Sequence, residues 1–227
     1  MPESFSSGNA RQEGDNRSGT RTTSSRSSAL SFSETDDNNK PADHGNDIVL
    51  PERQYGYRTE PMTWKELKTL ILKENNLARL SRSVAQEIEY QTYMRKLKCE
   101  WKSVYDHILC SKFGFEKRLV KQHDKNHDVY EAYPPLSEVK KIQKVLVLND
   151  FPYYTDEGIF HYLLWKIGGD IITESEIEEA RQDLCEKLGD IKDMIHWRNP
   201  PHLKSLPEID HIHILCQRET KKPQSRL

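Results

Sequence analysis

The hydrophobic period of this chain changes once, at Tyr133-Pro134-Pro135, and that change limits the folds open to it. Before it, apolar residues recur every three or four positions, the spacing that gathers them on one face of a helix. Trp64, Leu67, Leu70 and Ile71 follow the capping box Thr63-x-x-Glu66, and Asn75-Asn76 offers a stop. A second box, Ser83-x-x-Gln86, opens a pattern through Val84, Ile88, Gln91, Met94, Leu97, Trp101, Tyr105 and Ile108. It predicts one long helix to about Cys110, ended by Gly114. After the prolines the apolar runs are short. Val145–Leu148, Ile159–Lys166, Met194–Trp197 and Asp210–Cys216 read as strands, the first closed by Pro152 and the second by Gly168-Gly169. Overlapping boxes at Thr173-x-x-Glu176 and Ser175-x-x-Glu178 open one further helix through Ile177, Ala180, Leu184 and Leu188, with Gly189 as its C-cap. Helices that precede every strand, with a single helix among the strands, do not make βαβ repeats. The expected class is α+β: an antiparallel sheet with packed helices and a helical N-terminal lobe.

Composition locates the part that cannot fold. Charged residues make up 31% of the 227 and hydrophobic ones 35%, with a mean hydropathy of −0.86. Serine dominates the first 33 residues, and Phe5 and Phe32 are the sole aromatic residues before Tyr55. Residues 1–59 therefore read as a disordered tail that buries too little apolar area to offset its ordering entropy. Residues 60–220 are expected to form one domain, a helical lobe over 60–125 and a sheet with one helix over 140–220, and residues 221–227 a C-terminal tail. Arg21–Ser28 offers a basic context for phosphorylation, although a spacer is the simpler reading. No stretch approaches the ~18 consecutive apolar residues of a membrane helix, and no apolar signal core follows Met1. Membrane insertion and secretion are not expected. Cys99, Cys110, Cys185 and Cys216 form no CxxC pair, which fits a reducing compartment and a cytoplasmic or nuclear protein. The formal charge of −2 hides a basic segment, residues 64–125, with 14 Lys or Arg against 8 Asp or Glu. Its charges spread along a helical pattern without a nucleic-acid motif, so a solvated face is expected rather than a nucleic-acid surface.

Chemistry concentrates near the end of the domain. In Asp210-His211-Ile212-His213-Ile214 the strand period puts His211 and His213 on one face and the two isoleucines on the other. Two imidazoles so placed suit a metal site, a nucleophile with an assisting partner, or the exposed polar face of an edge strand. His161, in the strand Ile159–Lys166, shares a face with Leu163 and Trp165 and serves either as a core residue or as a third member. There is no HExxH, no glycine-rich phosphate loop and no GxSxG, so the sequence names no metal and no cofactor.

Pro61-x-Thr-Trp64, Leu77-x-x-Leu-Ser-Arg-Ser83 with Tyr90, Asn149-Asp-Phe-Pro-Tyr153, His161-x-x-x-Trp165, His196-Trp-Arg-Asn199, Leu203-Lys-Ser205 and His211-x-His213 occur in this order. Over about residues 61–220 the chain resembles the fungal N-acetylglucosamine-induced protein family. That resemblance implies a cytosolic protein of the amino-sugar response and brings no reaction with it. A remoter likeness is to the histidine-triad nucleotide hydrolases and transferases, through Asp150-Phe-Pro152, His161-Tyr-Leu-Leu164 with Lys166, and His211-Ile-His213. It would make His211 the nucleophile and His213 the final triad histidine, with Ile209 where the first would stand.

The expected site therefore has His211 and His213 as catalytic residues. Asn149, Asp150, Tyr153, His161, Trp197, Arg198, Asn199, Lys204 and Ser205 are expected as ligand-binding residues around them. Arg198, Lys204 and Ser205 are donors suited to phosphate, and Trp197 offers a ring for stacking. The expected partner is a small phosphorylated ligand, a nucleotide or a sugar phosphate, and not a membrane or a nucleic acid. The alternative is a regulatory protein that uses this domain as an interaction surface. Three histidines clustered in a deep pocket favour the first reading; scattered and exposed histidines favour the second.

Overall fold

Three of the expected capping residues close their helices with side-chain oxygens. Thr63 Oγ1 accepts the Glu66 amide at 3.2 Å, and the Ser83–Gln86 and Thr173–Glu176 boxes are complete in both directions. These contacts belong to a computed structural model that describes residues 48–120, 128–139, 141–204 and 206–219. The serine-rich stretch with Arg21–Ser28, the expected tail 221–227 and Ser205 lie outside the described residues.

Helix α1 (Trp64–Lys68) widens into a π-helical turn over Thr69–Lys73 and ends at Asn75, whose φ of 48° is the left-handed conformation asparagine tolerates. Helices α2 (Val84–Glu100) and α3 (Val104–Phe113) replace the single helix expected from Ser83 to Cys110. The break has a local cause. Ser103 Oγ accepts the Asp106 amide at 3.0 Å, a cap that competes with continuation, while Trp101 leaves the helical conformation and Lys102 N donates to Tyr130 O at 2.8 Å. Strands β1 (Glu116–Val120) and β2 (Val129–Tyr133) form an antiparallel hairpin, the first within the expected helical lobe 60–125 and the second in the stretch after it that sequence reading left without an element. Residues 116–119 are exposed, so this strand lacks the alternation that marks a half-buried one.

The second half follows the expected order: β3 (Gln143–Leu148), β4 (Ile159–Ile167), α4 (Glu174–Leu188), β5 (Ile191–Trp197) and β6 (Asp210–Arg218). The four strands make one sheet in the order β3-β4-β6-β5 with every pair antiparallel, and the α+β class holds. One face packs on α4 through Leu164, Ile212, Ile214 and Cys216 against Ile177, Ala180 and Leu184. The other carries Leu163, Trp165, Ile195 and Leu215 toward the N-terminal helices. Strand β6 is interior, between β4 and β5. The reading of His211 and His213 as the exposed face of an edge strand is thereby overturned, because both faces of the sheet are covered.

Residues 48–59, assigned by composition to the tail, are in contact with this domain. Arg53 Nη2 donates to Leu80 O at 3.1 Å, Arg58 N to Arg82 O at 3.0 Å, and the Arg58 guanidinium pairs with Glu66. These contacts are hydrogen bonds and an ion pair, which a hydrophobic pattern does not disclose.

Candidate functional site

The register of β4, β6 and β5 assembles the histidines. His213 lies opposite Leu163 on one side and Trp197 on the other, and His211 lies opposite Trp165. His161, His211 and His213 are 2%, 3% and 7% exposed, with the ring of His213 5.1 Å from that of His161 and 5.4 Å from that of His211. Trp197 stacks on His213 at 4.9 Å and Tyr153 on His161 at 5.1 Å.

Two asparagine amides flank the His161–His213 pair. Asn149 Oδ1 accepts the Phe151 amide at 3.0 Å, which turns its Nδ2 to His161 Nδ1 at 3.2 Å. Asn199 Oδ1 accepts the Trp197 indole N–H at 3.0 Å, which turns its Nδ2 to His213 Nε2 at 3.0 Å. Between them His161 Nε2 and His213 Nδ1 are 2.9 Å apart. An imidazolium needs an acceptor for each N–H, and neither outer nitrogen faces one. Two neutral rings carry two protons on four nitrogens, so with one N–H between the rings the other faces an asparagine Nδ2: at most two of the three contacts are hydrogen bonds at once, and an additional proton has no acceptor among the described residues. Burial, then the Arg82 charge, pushes His161 down to about 3, and burial followed by its two histidine neighbours holds His213 well below its ordinary range.

His211 is bound differently. Its Nδ1 lies 3.0 Å from Ile209 O, and a carbonyl only accepts, so Nδ1 carries the proton and Nε2 is left as a lone pair. That nitrogen has no hydrogen-bond partner among the described residues. Burial, against the Ile209 hydrogen bond, lowers its pKa, and the ring is neutral at pH 7.

His211 and His213 line a cavity of about 570 Å³ between the sheet and the N-terminal lobe. Trp165 and Leu163 continue its floor, Tyr90 and Tyr93 of α2 form one wall, and Phe151 and Tyr153 of the Asn149–Tyr153 turn form another. Phe151 lies 5.3 Å from Tyr90 and 4.9 Å from Tyr93, ring centre to ring centre. Arg82 crosses this wall: Nε and Nη2 donate to Phe151 O at 3.1 and 3.0 Å, Nη1 meets Glu87 at 3.1 Å, and the guanidinium lies 4.1 Å above the Tyr90 ring.

The residues expected to bind a ligand divide into two groups. Asn149, Asp150, Tyr153 and Asn199 line the cavity, while His161 and Trp197 pack behind His213. Asp150, half-exposed, pairs with Lys112 at 2.7 Å. Arg198 and Lys204 are elsewhere. Both converge on the carboxylate of Asp210, which also accepts the Ile172 amide at 2.8 Å, and Asp210 shares the α4 face of the sheet with Ile212. The alternation along β6 that turns His211 to the cavity turns Asp210 and its two cations away from it. Arg53, Arg82, Tyr93, His107 and Lys112 line the cavity without having been singled out as ligand contacts. Tyr90 and Tyr93 are three apart on α2, a spacing sequence reading takes for core, and Arg82 sits just before a cap where nothing distinguishes it from surface. Among the described residues no group of three His, Cys, Asp or Glu side chains is placed to hold a metal ion.

The geometry defines an α+β domain with a cavity floored by His211 and His213. Residues 63–217 match the family described as Protein of unknown function (DUF3605), and the chain belongs to that family. No curated protein matches it. A solved structure titled "Crystal Structure of HTC1" is similar over 72% of this chain and 89% of its own, at 20% identity and a TM-score of 0.44, a likeness too low to carry an argument. Among the described residues no helix is long and apolar enough to cross a membrane.

Proposed function

We propose that the cavity binds a small phosphorylated ligand, a nucleotide or a sugar phosphate, and that His211 attacks its phosphorus. The observation that carries this reading is the His211 ring itself: Nδ1–H anchored on Ile209 O at 3.0 Å and Nε2 without a hydrogen-bond partner among the described residues, on a side chain that lines a cavity of about 570 Å³. A neutral imidazole held in one tautomer presents its lone pair without a prior proton transfer. The Nε2 pair forms the N–P bond as the bond from phosphorus to the leaving group breaks, and the leaving group departs with that electron pair and takes a proton from solvent. The positive charge now on the ring is shared with Ile209 O through Nδ1–H. Water then attacks phosphorus, the N–P bond breaks, its electrons return to Nε2, and the proton of the water passes to solvent. His213 and His161 stay neutral throughout and pack the ring from behind.

Clustering of the three histidines supports this over a surface-interaction role. The resemblance to N-acetylglucosamine-induced proteins suggests an amino-sugar context for the ligand, and the likeness to histidine-triad enzymes suggests His211 as the attacking residue. The test is a panel of nucleoside phosphoramidates, dinucleotides and sugar nucleotides incubated with the purified chain, with and without chelator. Turnover of at least one, unchanged by chelator, is expected. No turnover across the panel, with no small molecule retained by the purified protein in mass spectrometry, would leave a binding or regulatory domain instead.

A further inference from the structure

Described residues place three permanently charged cations on the cavity wall: Arg53, Arg82 and Lys112. Two are neutralised. Arg82 is held by Glu87 and by Phe151 O, and Lys112 by Asp150. Arg53 is not. A guanidinium has five N–H donors, and a single hydrogen bond, from Nη2 to Leu80 O at 3.1 Å, engages Arg53. Among the described residues no carboxylate lies within ion-pair distance of it.

Its position is nonetheless fixed. Leu80 O holds one edge, and the guanidinium lies 5.8 Å from the Tyr57 ring centre. The residues on either side belong to the segment that Arg58 ties to Arg82 O and to Glu66. The side chain lines the same cavity as His211 and His213. A partly buried, oriented and unneutralised fork is the arrangement that matches two oxygens of one oxyanion.

We infer that Arg53 is the anion-binding group of this cavity, and that the ligand it takes carries a phosphate. The role expected of Arg198 and Lys204 passes to a residue some 150 positions earlier in the chain, because those two are neutralised by Asp210 on the opposite face of the sheet. The ligand's anion is thus held by the segment just before the first helix. The inference deepens the phosphorylated-ligand reading but does not require that His211 react.

Inorganic phosphate is the probe. The full chain is titrated with phosphate by calorimetry at low ionic strength, since screening weakens partly exposed charges. Wild type is expected to bind, Arg53→Gln to lose at least tenfold in affinity, and Arg53→Lys, which keeps the charge but not the fork, to fall between. Lys112→Met, which leaves Asp150 without its counter-ion on the same wall, is expected to weaken binding less than Arg53→Gln does. Melting temperatures without phosphate show whether a variant has merely loosened the fold, and Arg53→Lys keeps the inference testable if Arg53→Gln does. Equal binding by wild type and Arg53→Gln, a loss confined to Lys112→Met, or no binding by wild type at tens of millimolar phosphate would each overturn it. Failure of the catalytic reading looks different: phosphate binds through Arg53 and the substrate panel is untouched.

Discussion

Replacing His211 with alanine is expected to reduce turnover of any substrate the panel reveals by roughly 10³-fold or more, as losing a covalent nucleophile does. The fold should survive with some loss of stability: among the described residues the side chain makes one hydrogen bond, to Ile209 O, worth only ~0.5–1.5 kcal/mol, and its ring packs on Trp165 at 4.6 Å. His213→Ala should behave in the opposite sense. It leaves His161 Nε2 buried without a partner, leaves Asn199 Nδ2 with Leu203 O alone, and removes the ring on which Trp197 stacks, so stability falls while the nucleophile remains. Chemical unfolding and steady-state kinetics on the two variants separate the roles. Equal losses of activity with unchanged stability in both would contradict the division drawn here.

Acid should unfold this domain early. The folded chain keeps His161 and His213 neutral, His161 down to about 3, whereas an unfolded imidazole takes up its proton near 6.5. Below 6.5 the unfolded state therefore binds more protons, and stability rises with pH there. It is fully present above 6.5 and is lost as pH falls, by up to about 1.4 kcal/mol per pH unit for each ring. Carboxylates held low in the fold, such as Glu176 at about 2 through the Thr173 amide and Lys166, add their loss in a more acidic window. Urea unfolding between pH 7.5 and 5 therefore isolates the histidines. His161→Gln should remove about one ring's share of the slope; a slope unchanged by that variant would show that the ring is not kept neutral.

Much of this fold is legible in the sequence because local and global signals agree. Thr63, Ser83 and Thr173 are capping residues by pattern and by geometry, and the alternation in Asp210–Cys216 places His211 and His213 on one face as it should. The misreadings have physical sources. Helical period continues across Trp101–Ser103, but the Ser103 cap and the Tyr130 carbonyl decide the break, and the latter is a contact 28 residues away. Strand β1 is charged and exposed, so no period reveals it. Arg198 and Lys204 look like phosphate donors because residue type shows charge but not its counter-ion. Their partner, Asp210, adjoins His211 in sequence and faces the other side of the sheet. Arg53 is the converse case: a basic residue in a polar stretch whose lack of a carboxylate partner among the described residues becomes visible only when its neighbours in space are known.

The most direct measurement is of the nitrogen itself. The full chain is incubated briefly with phosphoramidate, a small phosphoryl donor, quenched in alkali and weighed intact, then digested to locate any adduct. The account predicts one phosphoryl group on His211, stable in alkali, lost in acid and absent from His211→Ala. An adduct retained by His211→Ala, or none on a wild-type chain that turns over a panel substrate, would contradict it.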